Sequence, residues 1–235
     1  MSLGLSQQYA YFRCTKYQIL KNLPCMKYLI RTLIAASLSM TLPSYAETVE
    51  NMLVEMTMIQ NNTALMQAAV ADGRERGQLC FRCHGDDGNS KRDYIPNLAS
   101  QNALYLFTQF EHFADGTRKD YVMSKLAGHL SKEDRINIAL YFSQSPVAKR
   151  QQPVESNAKG EQIYRSMCFA CHGNDGYGNQ QYPRIAGQPY EYLEKTLMKF
   201  LHKDPERQNS PMSSVIQNMN EQQMKDVAAY VAHMP

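Results

Sequence analysis

Two five-residue motifs of one pattern, Cys80-Phe81-Arg82-Cys83-His84 and Cys168-Phe169-Ala170-Cys171-His172, carry the most specific chemistry in this 235-residue chain. At the spacing Cys-x-x-Cys-His, two thiols can add across the two vinyl groups of one haem, and the adjacent histidine then serves as the proximal ligand of its iron. Each motif runs on into glycine and an acidic or near-acidic pair, Gly85-Asp86-Asp87 and Gly173-Asn174-Asp175. A zinc site would set its cysteine pairs about 15–20 residues apart, whereas 85 positions separate Cys83 from Cys168. A thioredoxin-like pair would sit in a βαβ pattern, and no such pattern surrounds either motif. The residues point to two covalent haem c groups, attached through Cys80, Cys83, Cys168 and Cys171, with His84 and His172 on the irons.

The sixth position on each iron separates an electron carrier from a catalyst. Of the 14 methionines, Met123 and Met212 fall 39 and 40 residues after His84 and His172. Each also lies eight residues before a helix cap, Ser131 or Asn220, so the two align with each other. Met219 and Met224 face Leu130 and Arg135 in the other copy, and Met167 reads as helix packing. A thioether in the sixth position favours ferrous iron and closes the metal to oxygen or peroxide. Pro96 and Pro183, 12 and 11 residues after their histidines, are placed to offer a backbone carbonyl to the proximal ring Nδ1–H; loop punctuation is the alternative reading. His112, His129, His202 and His233 have no counterparts in the other copy and read as surface or packing residues. His129 is the rival ligand for the first haem.

The elements that must position these groups come from an internal repeat. Cys80 recurs at Cys168, Pro96-Asn97-Leu98-Ala99 as Pro183-Arg184-Ile185-Ala186, Phe113 as Phe200, and Tyr141 as Tyr230, at offsets of 87 to 89. Each copy reads as helix, haem loop, helix, loop, helix. Tyr105, Leu106, Gln109, Phe110 and Phe113 form a stripe at helical spacing, matched by Tyr192, Leu193, Leu197 and Phe200. The last helices open with capping signatures, Ser131 with Asp134 and Asn220 with Gln223. The predicted organisation is an all-α chain with a first haem domain over 72–145, a polar, proline-bearing linker over 146–154 and a second haem domain over 155–235. Domains this small bury little apolar surface of their own, so each is expected to need its haem to fold well. An additional segment, 47–71, places Val49, Met52, Leu53, Met56 and Ile59 on one helical stripe. Intramolecular packing is the expected use of this stripe, with docking to a partner or a membrane surface as the alternative.

Residues 1–46 read as a leader: Met26-Lys27-Tyr28-Leu29-Ile30-Arg31, an apolar run from Thr32 to Leu42, then Ser44-Tyr45-Ala46. Residues 1–25 read as an upstream extension, with Met26 as the initiator. Removing 1–46 takes away five basic residues and no acid, leaving 20 basic against 22 acidic side chains. That balance excludes a basic nucleic-acid-binding protein. It also removes Cys14 and Cys25, leaving only the four motif cysteines. A leader together with covalent haem places the mature chain in a bacterial periplasm.

With these elements in place, the chain resembles the dihaem cytochrome c4 family, a tandem of class I cytochrome c domains. The matching elements are Cys80–His84 with Gly85, Asp87-Gly88-Asn89-Ser90, Pro96-Asn97-Leu98-Ala99 and Met123. In the second copy they are Cys168–Gly173, Asp175-Gly176, Ile185-Ala186-Gly187-Gln188 and Met212. The resemblance implies His/Met ligation in both domains, haem domains packed on each other, and electron shuttling between a quinol–cytochrome c oxidoreductase and a terminal oxidase. The same sites would serve a cytochrome subunit of a dehydrogenase, such as a sulfide-oxidising flavocytochrome or an alcohol dehydrogenase. A dihaem peroxidase would need an open sixth position, against which Met123 and Met212 argue. Residues 72–150 hold 12 basic and 10 acidic side chains and 151–235 hold 8 and 9, so the first haem is expected to hold its electron more tightly.

Overall fold

The computed structural model describes residues 49–207 and 210–235, and every regular element among them is helical. The expected leader, with Cys14 and Cys25, lies outside the described residues. Helix α1 (Val49–Gln60) precedes the first copy, which consists of α2 (Thr63–Arg76), α3 (Gln78–His84), α4 (Ala103–Asp115), α5 (Met123–Gly128) and α6 (Lys132–Gln144). The second copy runs α7 (Ala158–Ile163), a π-helical turn (Tyr164–Cys168), α8 (Phe169–His172), α9 (Tyr190–Leu201), α10 (Met212–Val215) and α11 (Glu221–Ala232).

Each copy is built on a close crossing of its first and last helices, α2 on α6 and α7 on α11. Glycine makes both crossings possible. A Cβ on Gly73 would stand 2.1 Å from the Asn137 carbonyl oxygen, and one on Gly160 would stand 2.1 Å from that of Asp226. Cys80 falls seven positions after Gly73, but Cys168 falls eight positions after Gly160. The second copy takes up the extra residue in its π-helical turn, whereas in the first the helix breaks at Gly77. Both capping boxes form: Ser131 with Asp134 starts α6, and Asn220 with Gln223 starts α11.

The helical stripes supply the core. Leu106, Phe107, Phe110 and Phe113 of α4 pack with Ile136, Ile138, Leu140 and Phe142 of α6, all buried. On α9, Leu193 and Phe200 are the buried pair. Helix α1 joins the first core through Met52 and Met56, each 3 % exposed, so its apolar stripe is used for intramolecular packing. The opposite face leaves Val54 and Met58 exposed. Helix α2 runs through the 71/72 boundary and packs along α6, which ties residues from 63 onward to the first copy.

The two copies meet across a polar surface. The Asn102 side chain donates to the Tyr182 carbonyl (2.8 Å), and Tyr192 N–H donates to the Asp93 carbonyl (2.9 Å). Arg184, 1 % exposed, spans the seam, with its guanidinium donating to the carbonyls of Ala186 and Ala99. The segment 146–154 is strapped to both sides. Asn89 bonds the Pro146 carbonyl and the Ala148 N–H, Arg150 pairs with Asp93 at 2.8 Å, and Gln152 donates to the Ala232 carbonyl.

Candidate haem sites

Each Cys-x-x-Cys-His motif lies at the end of a helical stretch, so its histidine sits on the last turn: His84 closes α3 and His172 closes α8. The chain then reverses through Gly88 or Gly176, both at φ 76°, a backbone region that favours glycine. A Cβ on Gly88 would meet Ala99 N at 2.6 Å. The Gly88 carbonyl accepts from Leu98 and Ala99 N–H, and the Gly176 carbonyl accepts from Ile185 and Ala186 N–H, at matching distances of 2.7 and 3.1 Å. These paired bonds fold each loop back so that a proline carbonyl reaches the ring. His84 Nδ1 lies 2.9 Å from the Pro96 oxygen, and His172 Nδ1 lies 2.9 Å from that of Pro183.

Both imidazoles are buried, at 7 % and 6 % exposure. Burial pushes their pKa values down, and the proline carbonyls oppose this only in part. Each ring is therefore neutral at pH 7, with Nδ1–H donating to the carbonyl and the Nε2 lone pair free for a metal. Cys80, Cys83, Cys168 and Cys171 are half-buried free thiols. Burial pushes Cys80 and Cys168 up to about 11, which keeps them protonated.

Met123 and Met212 are the first residues of the short helices α5 and α10, equivalent places in the two copies. Both are half-buried and lie against the cores of their own copies. Their backbones are fixed locally: Asp120 Oδ1 accepts from Met123 N–H (2.8 Å), and Ser210 Oγ accepts from Met212 N–H (3.3 Å). Asp120 and Arg118 also act electrostatically on the His84 ring, so the loop leading to Met123 lies close to that histidine. His129 is exposed, with its Nδ1 on the Lys125 carbonyl at the end of α5. Met219 and Met224 are buried packing residues. Met167, expected to pack, is 37 % exposed, because the widened π turn leaves Arg165, Ser166 and Met167 on the outside.

A third cluster joins the copies. Tyr105 and Arg118 come from the first, and their repeat counterparts Tyr192 and Arg207 from the second. Arg118 donates to Gln109 Oε1 (2.6 Å) and Arg207 to the Tyr192 hydroxyl (3.5 Å), and each guanidinium also acts on the other copy's tyrosine, Arg207 on Tyr105 and Arg118 on Tyr192. Burial and the neighbouring Arg207 charge both lower the Arg118 pKa. Burial pushes Tyr192 up, but the two guanidiniums outweigh it and hold the phenol at about 8. Neither guanidinium has a carboxylate partner among the described residues, so the cluster suits a bound acid, as a haem carries on its propionates. Thiols at attachment spacing, a buried histidine with a free Nε2, an aligned thioether and an anion-ready seam all fit haem c.

The sequence reading placed Tyr105 and Tyr192 in apolar stripes and missed this cluster, along with Gly73 and Gly160. All of them recur at offsets of 87 to 89, the signal that could have revealed them.

Comparison with known proteins identifies the family. The family model for cytochrome c matches residues 157–235. The chain is 30 % identical to cytochrome c4 of Pseudomonas aeruginosa over 196 residues, covering 78 % of this chain and 96 % of the relative. It is 31 % identical to a thiosulfate dehydrogenase electron acceptor of Thiomonas intermedia, covering 66 % of this chain and 78 % of that one. The fold matches the crystal structure of reduced cytochrome c4 from Pseudomonas stutzeri with a TM-score of 0.63 at 26 % identity, over 69 % of this chain and 97 % of that one. The chain belongs to the cytochrome c4 family, all-α electron carriers built from two class I cytochrome c domains, each holding one covalent haem c.

Proposed function

We propose that this protein is a periplasmic shuttle that takes electrons from a quinol–cytochrome c oxidoreductase and delivers them to a terminal oxidase. The observation that carries this reading is the matched pair of sites: a buried His held by a proline carbonyl, and a Met opening a short helix, once in each copy. Bound haem supplies a one-electron ferric/ferrous couple. Around it, Cys80, Cys83, Cys168 and Cys171 form the covalent attachment. His84 and His172 present Nε2 to the irons, with Pro96 and Pro183 fixing the tautomer. Met123 and Met212 fill the sixth positions and exclude water and peroxide. Arg118 and Arg207 would neutralise propionate charge at the seam, with Tyr105 and Tyr192 as hydrogen-bonding neighbours. The leader pattern over 1–46 supports the periplasm, and no helix among the described residues is long and apolar enough to cross a membrane.

A second reading, electron acceptor of a periplasmic dehydrogenase, is favoured by the likeness to the thiosulfate dehydrogenase electron acceptor. One experiment separates the two. The oxidised protein is offered quinol with native membranes, or thiosulfate with a purified thiosulfate dehydrogenase, and haem reduction is followed optically. Faster reduction by the membranes, with reoxidation by their oxidase, supports the shuttle. Reduction by the dehydrogenase alone supports the acceptor role and overturns the shuttle.

A further inference from the structure

We infer that Gln101 and Gln188 are positioning residues that act in trans: each glutamine sits in one domain and tunes the proximal histidine of the other. This rests on His84 and His172 being the proximal ligands. The two glutamines are repeat counterparts, 87 positions apart and 4 % and 3 % exposed. Gln188 Oε1 accepts from Asn97 N–H at 2.9 Å, and its Nε2 donates to the Asn97 carbonyl at 2.8 Å. Gln101 does the same in the opposite direction, accepting from Arg184 N–H at 2.7 Å and donating to the Arg184 carbonyl at 2.8 Å.

The clamped residues are not arbitrary. Asn97 follows Pro96 and Arg184 follows Pro183, so the N–H held by each glutamine belongs to the peptide group whose oxygen accepts from the histidine. One rigid, conjugated unit thus links His84 Nδ1 to Gln188 and His172 Nδ1 to Gln101. An acceptor on the N–H of a peptide makes its carbonyl oxygen more negative, and bonds in such a chain strengthen one another. The carbonyl then pulls harder on Nδ1–H, the imidazole becomes a stronger donor to iron, and the ferric state gains. The two domains therefore share their ligand tuning across the seam.

The test uses the dihaem holoprotein, with wild type first shown to carry sulfur-ligated haem, so that failure of the ligation reading is recognised separately. Gln188→Leu removes the acceptor. The expected result is a rise in the potential of the first haem, in the other domain, by roughly threefold to tenfold in its reduction equilibrium, the scale of one hydrogen bond. On a one-electron titration that is about 30–60 mV. The His84 Nδ1–H nuclear magnetic resonance should move while that of His172 stays. Gln101→Leu should move the other step and the other ring. Gln188→Glu keeps an acceptor in the same shape and should not raise the first potential, which provides a test should the leucine variant fail to accumulate. Equal shifts of both haems, a shift confined to the glutamine's own domain, or no shift at all would each overturn the inference.

Discussion

Replacing Gly73 with alanine tests the helix crossing on which the first domain stands. The added Cβ would lie 2.1 Å from the Asn137 carbonyl oxygen, 2.5 Å from its carbon and 3.0 Å from Tyr141 Cβ. Two of these obstacles are backbone, which cannot swing aside as a side chain can, so α2 and α6 must part by more than an ångström. Overpacking of this kind costs about 1–3 kcal/mol, and a backbone clash belongs at the upper end. Alanine gives back about 1 kcal/mol of helix propensity. The net loss is about 2 kcal/mol, or roughly 4–8 °C in melting temperature for a chain of this size. Gly160→Ala should behave alike, since its Cβ would meet the Asp226 backbone just as closely. Gly128, on α5, has open space where a Cβ would go, so Gly128→Ala should be neutral or stabilising by up to about 1 kcal/mol. Thermal unfolding of the oxidised holoproteins by far-ultraviolet circular dichroism makes the comparison. A Gly73→Ala protein that melts with wild type or with Gly128→Ala would refute the argument.

Two further outcomes follow from charge. Burial pushes the Asp134 carboxyl up, but its bonds to Ser131 and the Arg76 guanidinium outweigh this and hold it below the usual carboxylate range. A depressed carboxylate stabilises fully above its unfolded pKa, and that stability is lost as pH falls through the folded value. Asp134→Asn should therefore lower the denaturant midpoint at neutral pH and converge with wild type in strong acid; a deficit unchanged at low pH would contradict this. Arg184 is a buried cation, held down to about 10 by burial and bonded to backbone carbonyls. Next to Pro183, it favours the ferrous state of the second haem, so Arg184→Gln should lower that potential by roughly 60 mV, tenfold in the one-electron equilibrium. A shift upward, or none, would show that its charge is screened from the iron.

Arg184 also shows where reading the sequence stops. Counting charges gave the first copy the more positive balance and so the tighter hold on its electron. Most of those charges are solvated, and a solvated charge acts far more weakly than one inside the protein. Arg184, 1 % exposed in the seam, belongs to the second copy, and no composition count distinguishes it. The motifs, the helical stripes and both capping boxes were legible because they are local: spacing along the chain fixes them. The aligned methionines were legible through the repeat. The reciprocal glutamines and the Tyr–Arg cluster were not, because each exists only once the two copies face each other. The π-helical turn was hidden too; its sole trace is the extra residue between Gly160 and Cys168.

The central claim is that both irons are closed by methionine, so that the protein passes electrons without a substrate of its own. The most direct measurement is the near-infrared charge-transfer band of sulfur-ligated ferric haem in wild type, Met123→Ala and Met212→Ala. Wild type should show the intensity of two such haems per chain. Each single substitution should remove half of it, and carbon monoxide should then bind one reduced haem per chain where wild type binds none. If Met123→Ala or Met212→Ala leaves the band intact, another group closes that iron. If wild type lacks half the band, one site is open and the carrier assignment of that haem fails.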